Sequence, residues 1–251
     1  MHYFISKNHP FNTMHKIFSA AFSVALLLLV IGQTSAQPNA KDSVVTRKDR
    51  KRDVLLETSM GRIQVRLSDS TPLHRDNFLK LVKTGYYQNI LFHRVIKNFM
   101  IQAGDPDSRN APAGKVLGNG GPGYRVPAEF RPTLFHKKGV IAAARDNNPE
   151  KASSASQFYL TQGKVFTEAG LDSVETYRLK RKIPIDQRLV YTTLGGVPHL
   201  DQNYTVFGEV ISGIEVIDAI ADVPTSKGAD RDRPLQDVVI LQAKLIKRKR
   251  S

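Results

Sequence analysis

The sequence predicts a mainly β protein, a closed antiparallel barrel capped by two α-helices. Short apolar runs that alternate with polar residues recur along the chain and are separated by turn residues, whereas helix signals are few. Many short strands with few helices favour a closed barrel, because closure leaves no unpaired sheet edge. The 251 residues, 41% of them hydrophobic, are enough for one sizeable domain with a packed core.

The predicted domain begins with a hairpin and a helix. Residues 53–67 form the hairpin, Gly61 supplies its turn, and the second strand alternates at Ile63, Val65 and Leu67. The helix begins at Thr71-Pro72, because Thr is a favourable N-cap and Pro suits the first helical turn, and it ends at Gly85. Its apolar face consists of Phe78, Leu79, Leu81 and Val82.

The stretch 92–105, FHRVIKNFMIQAGD, carries polar side chains within an apolar run. It predicts two short strands broken at Lys97-Asn98. One face of these strands, directed at a core, consists of Val95, Phe99 and Ile101. The opposite face, directed at a groove, consists of Arg94, Met100 and Gln102. Placing a guanidinium on such an apolar surface costs free energy, which suggests that the group has a function there. The alternative is an arginine that extends to water or meets a carboxylate.

Later segments complete the barrel. Residues 138–145 predict a strand that narrows to three alanines, and residues 153–161 predict another. Small side chains let a peptide backbone lie close to this strand. A strand that is simply buried against a neighbour explains the three alanines equally well. Residues 212–220 predict the second capping helix, and residues 237–246 predict the closing strand.

The glycine-rich segment 118–123 contains the pattern G-x-G-x-x-G. Dinucleotide binding needs a strand before this pattern and a helix after it. Pro122 lies inside the pattern and residues 124–127 are extended in character, so nucleotide binding is not expected.

The N-terminal residues predict a secretory signal peptide over residues 1–36. An apolar run at 17–31 follows Lys7, His15 and Lys16, and small residues precede a cleavage point after Ala36. The run is shorter than the ~20 residues of a membrane-spanning helix, and an uncleaved anchor is the alternative. Met14 is an alternative start. We therefore expect a periplasmic or secreted protein without a stable membrane span after cleavage.

Residues 37–52 predict a flexible basic linker, and residues 248–251 a basic tail. The formal net charge is +14 and the pI is about 10.0, with basic clusters around residues 47–52, 178–182 and 247–250. Clusters of this kind are usually solvated, so nucleic-acid binding is not expected. Attachment of the tails to an acidic surface or polymer is the alternative.

Several chemistries lack their sequence signals. The chain has no cysteine, which excludes disulfides, thiolate zinc sites and a cysteine nucleophile. The nucleophile turn G-x-S-x-G does not occur. Four histidines are scattered along the chain without the spacing of metal ligands, namely His74, His93, His136 and His199. No metal and no cofactor are expected.

The stretch 92–105 closely resembles the signature of the cyclophilins, the peptidyl-prolyl cis/trans isomerases, with Ala103 in place of the first of two glycines. Residues 71–87 and the loop 118–124 are also similar to cyclophilin segments. Residues 153–161 resemble another, with Ala155 for a usual Gly and Tyr159 for a usual Phe. Residues 199–210 resemble a further segment, with His199 in a Trp position and Tyr204 in a His position.

The resemblance covers about residues 53–247 and implies an eight-stranded barrel with peptidyl-prolyl cis/trans isomerase activity. By position, the catalytic pair is Arg94 and Gln102. The residues that bind substrate are Phe99, Met100, Ala142, Ala143, Arg145, Gln157, Tyr159, His199, Leu200 and Tyr204. Because members without Trp at the His199 position are often poorly inhibited by cyclosporin, we expect weak binding of that drug.

Residues 164–198 are an insertion relative to compact cyclophilins. Residues 168–182 predict a helix, and residues 185–196 are ambiguous. The insertion either packs over one end of the groove or forms a peripheral arm, and we favour the arm. The expected partners are proline-containing polypeptide clients, and we expect a monomer. The competing function is a non-catalytic peptide-binding chaperone on the same barrel.

Overall fold

The computed structural model of the protein describes residues 44–248. The predicted signal peptide, linker residues 37–43 and tail residues 249–251 lie outside this range. Within it, no helix is both long and apolar enough to span a bilayer.

The described chain alternates short strands with four α-helices. The strands are β1 (Arg52–Thr58), β2 (Gly61–Leu67), β3 (Ile90–Ile96), β4 (Met100–Ala103), β5 (Arg125–Val126), β6 (Val140–Ala143), β7 (Ser153–Ser154), β8 (Phe158–Thr161), β9 (Val206–Ser212) and β10 (Val239–Lys247). The helices are α1 (Pro72–Lys83), α2 (Glu168–Val174), α3 (Ile185–Thr193) and α4 (Ile214–Ala221).

Eight of these strands close into an antiparallel barrel in the order β1-β10-β3-β4-β8-β6-β9-β2, whereas β5 and β7 form a separate pair. The predicted eight-stranded barrel is therefore confirmed. The predicted capping helices correspond to α1 and α4, which bury their apolar faces in the same core as the barrel interior. The first face consists of Phe78, Leu79, Leu81 and Val82, and the second of Val216, Ile217, Ile220 and Ala221.

Helix α1 is capped by a residue that is distant in sequence. Thr71 occupies the N-cap position and Pro72 the first helical position, but the Thr71 side chain makes no capping bond. The carboxylate of Glu129 instead accepts the backbone N–H groups of Leu73 (3.2 Å) and His74 (3.0 Å). A negative charge at this end of a helix also complements its dipole.

Both ends of the described chain are bound more closely than the sequence predicts. Residues 44–51 were assigned to the linker, yet they contain a 3-10 turn, and Arg50 donates to Asp76 at 2.7 Å. Arg248, assigned to the tail, donates to the buried Asp53 at 3.1 Å. Arg50 and Arg248 therefore have acidic partners on the barrel domain.

The insertion forms two helices that pack against each other. Helix α2 continues into a π-helical turn, Glu175–Leu179, and ends at Lys180, which adopts a left-handed φ of 56°. The predicted helix over 168–182 is thus three residues too long, because the last helical residue is Leu179. Arg188 of α3 joins the helices by pairing with Asp172 (3.0 Å) and Glu175 (2.7 Å).

Candidate active site

A row of side chains crosses four neighbouring strands on the outer face of the barrel. Arg94 of β3 pairs with Gln102 of β4, Gln102 with Tyr159 of β8, and Tyr159 with Ala142 of β6. The same register places the alternate residue Ile101 in the barrel interior. The predicted opposite faces of strand β4 are confirmed, and Arg94, Gln102 and Tyr159 share the face that was predicted to line a groove.

This face carries a cleft of about 430 Å³. Among the predicted site residues, those that line it are Arg94, Phe99, Met100, Gln102, Arg145, Tyr159, Leu200 and Tyr204. A neighbouring cavity of about 850 Å³ shares Gln102 and Arg145 with the cleft and is bordered by Gln157 and the loop 118–125. Two joined cavities of this kind fit an extended chain better than a compact small molecule.

Arg94 lies at the open side of the cleft. Its side chain is 42% exposed, and its Nε lies 3.5 Å from a carboxylate oxygen of Asp232. Asp232 belongs to a loop that lines the cleft at residues 229–233, and its carbonyl accepts the Val95 N–H at 2.7 Å. At 3.5 Å the ion pair is loose, and Arg94 is among the residues that line the cleft. Asp232 was not predicted from the sequence, because only the closed barrel brings it to Arg94.

The apolar part of the cleft is a packed group around Met100 and Tyr159. Both side chains are buried, and half-buried Phe99 and Leu200 pack against them. Phe99 therefore lies on the cleft side rather than on the core side that strand alternation predicted. The reason is the turn at Asn98, whose φ of 62° breaks the alternation before β4 begins.

Three further predicted residues form or support the cleft wall. The Arg145 guanidinium lies over the Tyr204 ring at 4.8 Å, and both side chains line the cleft. His199 is not among the lining residues; its ring stacks on Phe99 with 5.8 Å between centroids. Burial lowers the pKa of His199, and nearby Arg178 lowers it further. His199 therefore supports a pocket side chain as a neutral ring.

Two of the predicted substrate-binding residues do not reach the cleft. Ala142 is fully buried behind the Tyr159 side chain, and Ala143 packs into the barrel interior. Strand β6 ends at Ala143, and Ala144 is the alanine that borders both cavities. The prediction of Ala142 and Ala143 was therefore wrong, and Ala144 takes their place beside Arg145.

The amide of Gln102 is oriented by Gln157. Gln157 donates through Nε2 to the carbonyls of Gly118 (2.8 Å) and Gly120 (2.9 Å), which leaves its Oε1 to accept from Gln102 at 3.1 Å. The Gln102 Nε2 is thereby directed at Gln157. Among residues 44–248 no donor bonds the Gln102 carbonyl oxygen, which can therefore accept a substrate N–H.

Replacing Gln157 tests this orientation. We expect Gln157→Leu to lower kcat/KM for an X-Pro peptide about tenfold, mainly through KM, because one oriented hydrogen bond is lost. The matched control is Gln242→Leu on the exposed face of β10, which should leave both constants unchanged. Equal kinetics for the two variants would contradict the orienting role.

The loop 118–123 is held by the last residue of the 92–105 stretch. Buried Asp105 accepts the Gly118 N–H, and a Cβ added at Gly120 would lie 2.1 Å from an Asp105 carboxylate oxygen. The loop continues into β5 and not into a helix. It is therefore a turn that borders the groove.

His93 was also missed as a cleft residue. Its side chain borders the cleft next to Arg94 and is only 4% exposed. Burial lowers the pKa of His93 to about 4; Asp105 opposes this shift and Arg94 adds to it. The ring is therefore neutral at pH 7.

The depressed pKa of His93 predicts a loss of stability in acid. The unfolded chain takes up this proton near pH 6.5, whereas the folded chain does so only near pH 4. Between those values the unfolded state binds more protons, so the free energy of unfolding falls as pH falls. We expect a loss on the order of 2–3 kcal/mol from this group, measured by urea unfolding.

The His93→Gln variant isolates the contribution of this residue. The pKa of buried His74 is lowered in the same direction, and its effect remains in the variant. The variant should therefore lose less stability than the wild type between pH 7 and pH 4. Parallel pH profiles would show that His93 does not account for the loss.

Within residues 44–248, no group of three His, Asp or Glu side chains is arranged to hold a metal ion. The side chains of the cleft offer a guanidinium and an oriented amide beside an apolar pocket.

Comparison with known proteins agrees with this geometry. The model of the family "Cyclophilin type peptidyl-prolyl cis-trans isomerase/CLD" matches residues 53–245. A Dictyostelium discoideum protein named peptidyl-prolyl cis-trans isomerase-like 3 is 34% identical over 74% of this chain and 91% of its own length. A Streptococcus pyogenes protein named putative bifunctional phosphatase/peptidyl-prolyl cis-trans isomerase is 35% identical over 74% of this chain. The chain spans only 37% of that relative's length.

A solved structure has the same fold. The crystal structure of a Cryptosporidium parvum cyclophilin type peptidyl-prolyl cis-trans isomerase matches with a TM-score of 0.57 and 24% identity. The match covers 79% of this chain and 99% of that one. The uncovered fraction is consistent with additional segments on a shared barrel.

Proposed function

The chain belongs to the cyclophilin type peptidyl-prolyl cis-trans isomerase family, and from this premise we propose that it accelerates rotation about X-Pro bonds in polypeptides. The single observation that supports catalysis most directly is the position of Arg94. A guanidinium at the edge of an apolar pocket, opposite an oriented amide, is the arrangement that this reaction requires.

The reaction needs no proton transfer. Rotation about a peptide bond meets a barrier of ~18–20 kcal/mol, because the nitrogen lone pair is delocalised into the carbonyl. In the twisted transition state the lone pair is localised on the prolyl nitrogen. An N–H donated by Arg94 binds this nitrogen more strongly in the transition state than in the planar ground state, and that difference lowers the barrier.

The remaining cleft residues hold the substrate in place. Phe99, Met100, Tyr159 and Leu200 bury the proline ring, and the carbonyl of Gln102 accepts a substrate backbone N–H. Ala144 leaves room for the chain that precedes the proline. Fixing the ring and the flanking backbone in this way restricts rotation to the carbonyl side of the bond.

A protease-coupled assay on a short Ala-Pro peptide tests the proposal. Uncatalysed exchange takes ~10–100 s at 25 °C, so acceleration is easily separated from background. We expect catalytic amounts of protein to shorten the cis-to-trans phase. Peptide binding without acceleration would instead support the non-catalytic chaperone, against which the cleft position of Arg94 argues.

We also propose that the clients are exported or folding proteins and that the enzyme is a secreted, bacterial-type cyclophilin with an insertion. The support is the signal-like pattern of residues 1–36, which lies outside the described residues. N-terminal sequencing of the mature protein tests this, and Gln37 is the expected first residue. A mature chain that retains residues 17–31 would contradict export by cleavage.

A further inference from the structure

A chain of hydrogen bonds links the insertion to the pocket. The Tyr191 hydroxyl of α3 donates to Asp201 Oδ2 at 2.7 Å. Asp201 Oδ1 lies 2.8 Å from His136 Nδ1, and His136 Nε2 lies 2.9 Å from the Tyr159 hydroxyl. All four side chains are buried, with exposures of 4% or less. Tyr159 is the only one of the four that lines the cleft.

The protonation pattern follows from the partners. Asp201 accepts from the backbone N–H of His136, from its Nδ1–H and from Tyr191. Nδ1 carries the proton that Asp201 accepts, and in this tautomer Nε2 accepts the Tyr159 O–H. Burial raises the pKa of Tyr159 and of Tyr191 well above the ordinary tyrosine value, so both remain donors.

The insertion is built tightly around Tyr191. Its ring packs edge-on against Phe135 at 5.5 Å and Phe166 at 6.5 Å, and its carbonyl accepts the Phe166 N–H. A Cβ added at Gly196 would lie 2.7 Å from the Tyr191 ring and 2.2 Å from the His136 carbonyl. The insertion is therefore not the peripheral arm that the sequence analysis favoured.

We propose that Tyr191 of the insertion is a positioning residue, which fixes the pocket wall through Asp201, His136 and Tyr159. A buried tyrosine hydroxyl needs a partner, and His136 supplies it from the side away from the cleft. This inference rests on the proposed function, because it assigns the insertion a role in proline binding.

The test is a double-mutant cycle with Tyr191→Phe and Tyr159→Phe, measured as kcat and KM on an Ala-Pro peptide. Each substitution removes one hydroxyl and keeps the ring. Tyr191→Phe should lower kcat/KM about three- to tenfold in the wild-type background. In the Tyr159→Phe background the link to the pocket is already cut, and the same change should have less than about a twofold effect.

The control is Tyr177→Phe, which lies in the insertion but is 74% exposed and should change nothing. A purely structural role for Tyr191 gives equal losses in both backgrounds, and this result or no loss at all overturns the inference. If the Tyr191→Phe variant does not fold, ¹⁵N NMR of the His136 ring in the wild-type protein provides the test. Saturation with the peptide should shift both ring nitrogens, and unchanged resonances overturn the inference.

Peptide affinity measured on the same samples keeps the two claims apart. A wild-type protein that binds the peptide without accelerating exchange refutes the proposed function. The double-mutant cycle is then repeated with the Kd for the peptide as the measured quantity. The inference predicts that Tyr191→Phe raises Kd in the wild-type background and changes it little in the Tyr159→Phe background. Failure of the coupling in an active enzyme refutes only the role of the insertion.

Discussion

Replacing Arg94 by alanine is expected to lower kcat about 10²–10³-fold, the loss typical of removing one transition-state hydrogen-bond donor. KM should change little, because the donor acts on the nitrogen only when the lone pair localises. The fold should persist, since the side chain is 42% exposed and its ion pair with Asp232 is loose at 3.5 Å. The protease-coupled assay and a thermal unfolding curve measure the two quantities.

Two further variants sharpen this experiment. Arg94→Lys retains the charge but lacks the rigid fork of donors, so its activity should lie between the wild type and the alanine variant. Arg62→Ala removes an arginine of β2 whose side chain is 76% exposed, and it should behave as the wild type. An alanine variant at position 94 within about threefold of the wild type would contradict the assigned role.

Gly104→Ala is expected to produce the largest loss of stability. Gly104 has a φ of 103°, and a Cβ at this position would lie 2.1 Å from the Ser156 carbonyl oxygen and 2.7 Å from Gln157 Cα. Strain and backbone displacement together should lower the free energy of unfolding by about 3 kcal/mol or more, measured with urea. Because Gln157 would be displaced, activity should fall as well.

Gly114→Ala is the matched control for this prediction. Gly114 also has a positive φ, 80°, but no atom lies within 4 Å of the added Cβ. Only the conformational penalty of about 1–2 kcal/mol applies there. Equal losses at the two positions would show that the contact with the Ser156 carbonyl does not matter. Alanine already occupies the neighbouring position, Ala103, where its side chain packs into the barrel core.

Local patterns were sufficient for most of the barrel. The alternation of buried and less buried residues in β2 and around the 92–105 stretch depends on neighbours in sequence. The turn at Gly61 does so as well. Where one residue in left-handed conformation interrupts a strand, as at Asn98, alternation placed Phe99 on the wrong side. The resemblance carried Ala142 and Ala143 over by position, whereas Ala144, just past the end of β6, is the alanine that borders both cavities.

The remaining features depend on contacts between distant parts of the chain. Glu129 caps α1, Asp232 lies beside Arg94, and Tyr191 reaches Asp201 only after the insertion has packed. Each of these polar residues has an ordinary sequence environment, so no local signal identifies its partner. The family resemblance predicted most of the residues that line the cleft. It did not predict the contacts of the insertion, because the insertion departs from the compact family pattern.

The most direct test of catalysis at this cleft is exchange NMR on an Ala-Pro peptide at equilibrium, with the protein at a small fraction of the peptide concentration. We expect exchange peaks between the cis and trans forms with the wild type, no such peaks with Arg94→Ala, and shifts of cleft resonances with both proteins. Peptide-induced shifts without exchange for the wild type would contradict catalysis and leave a peptide-binding module.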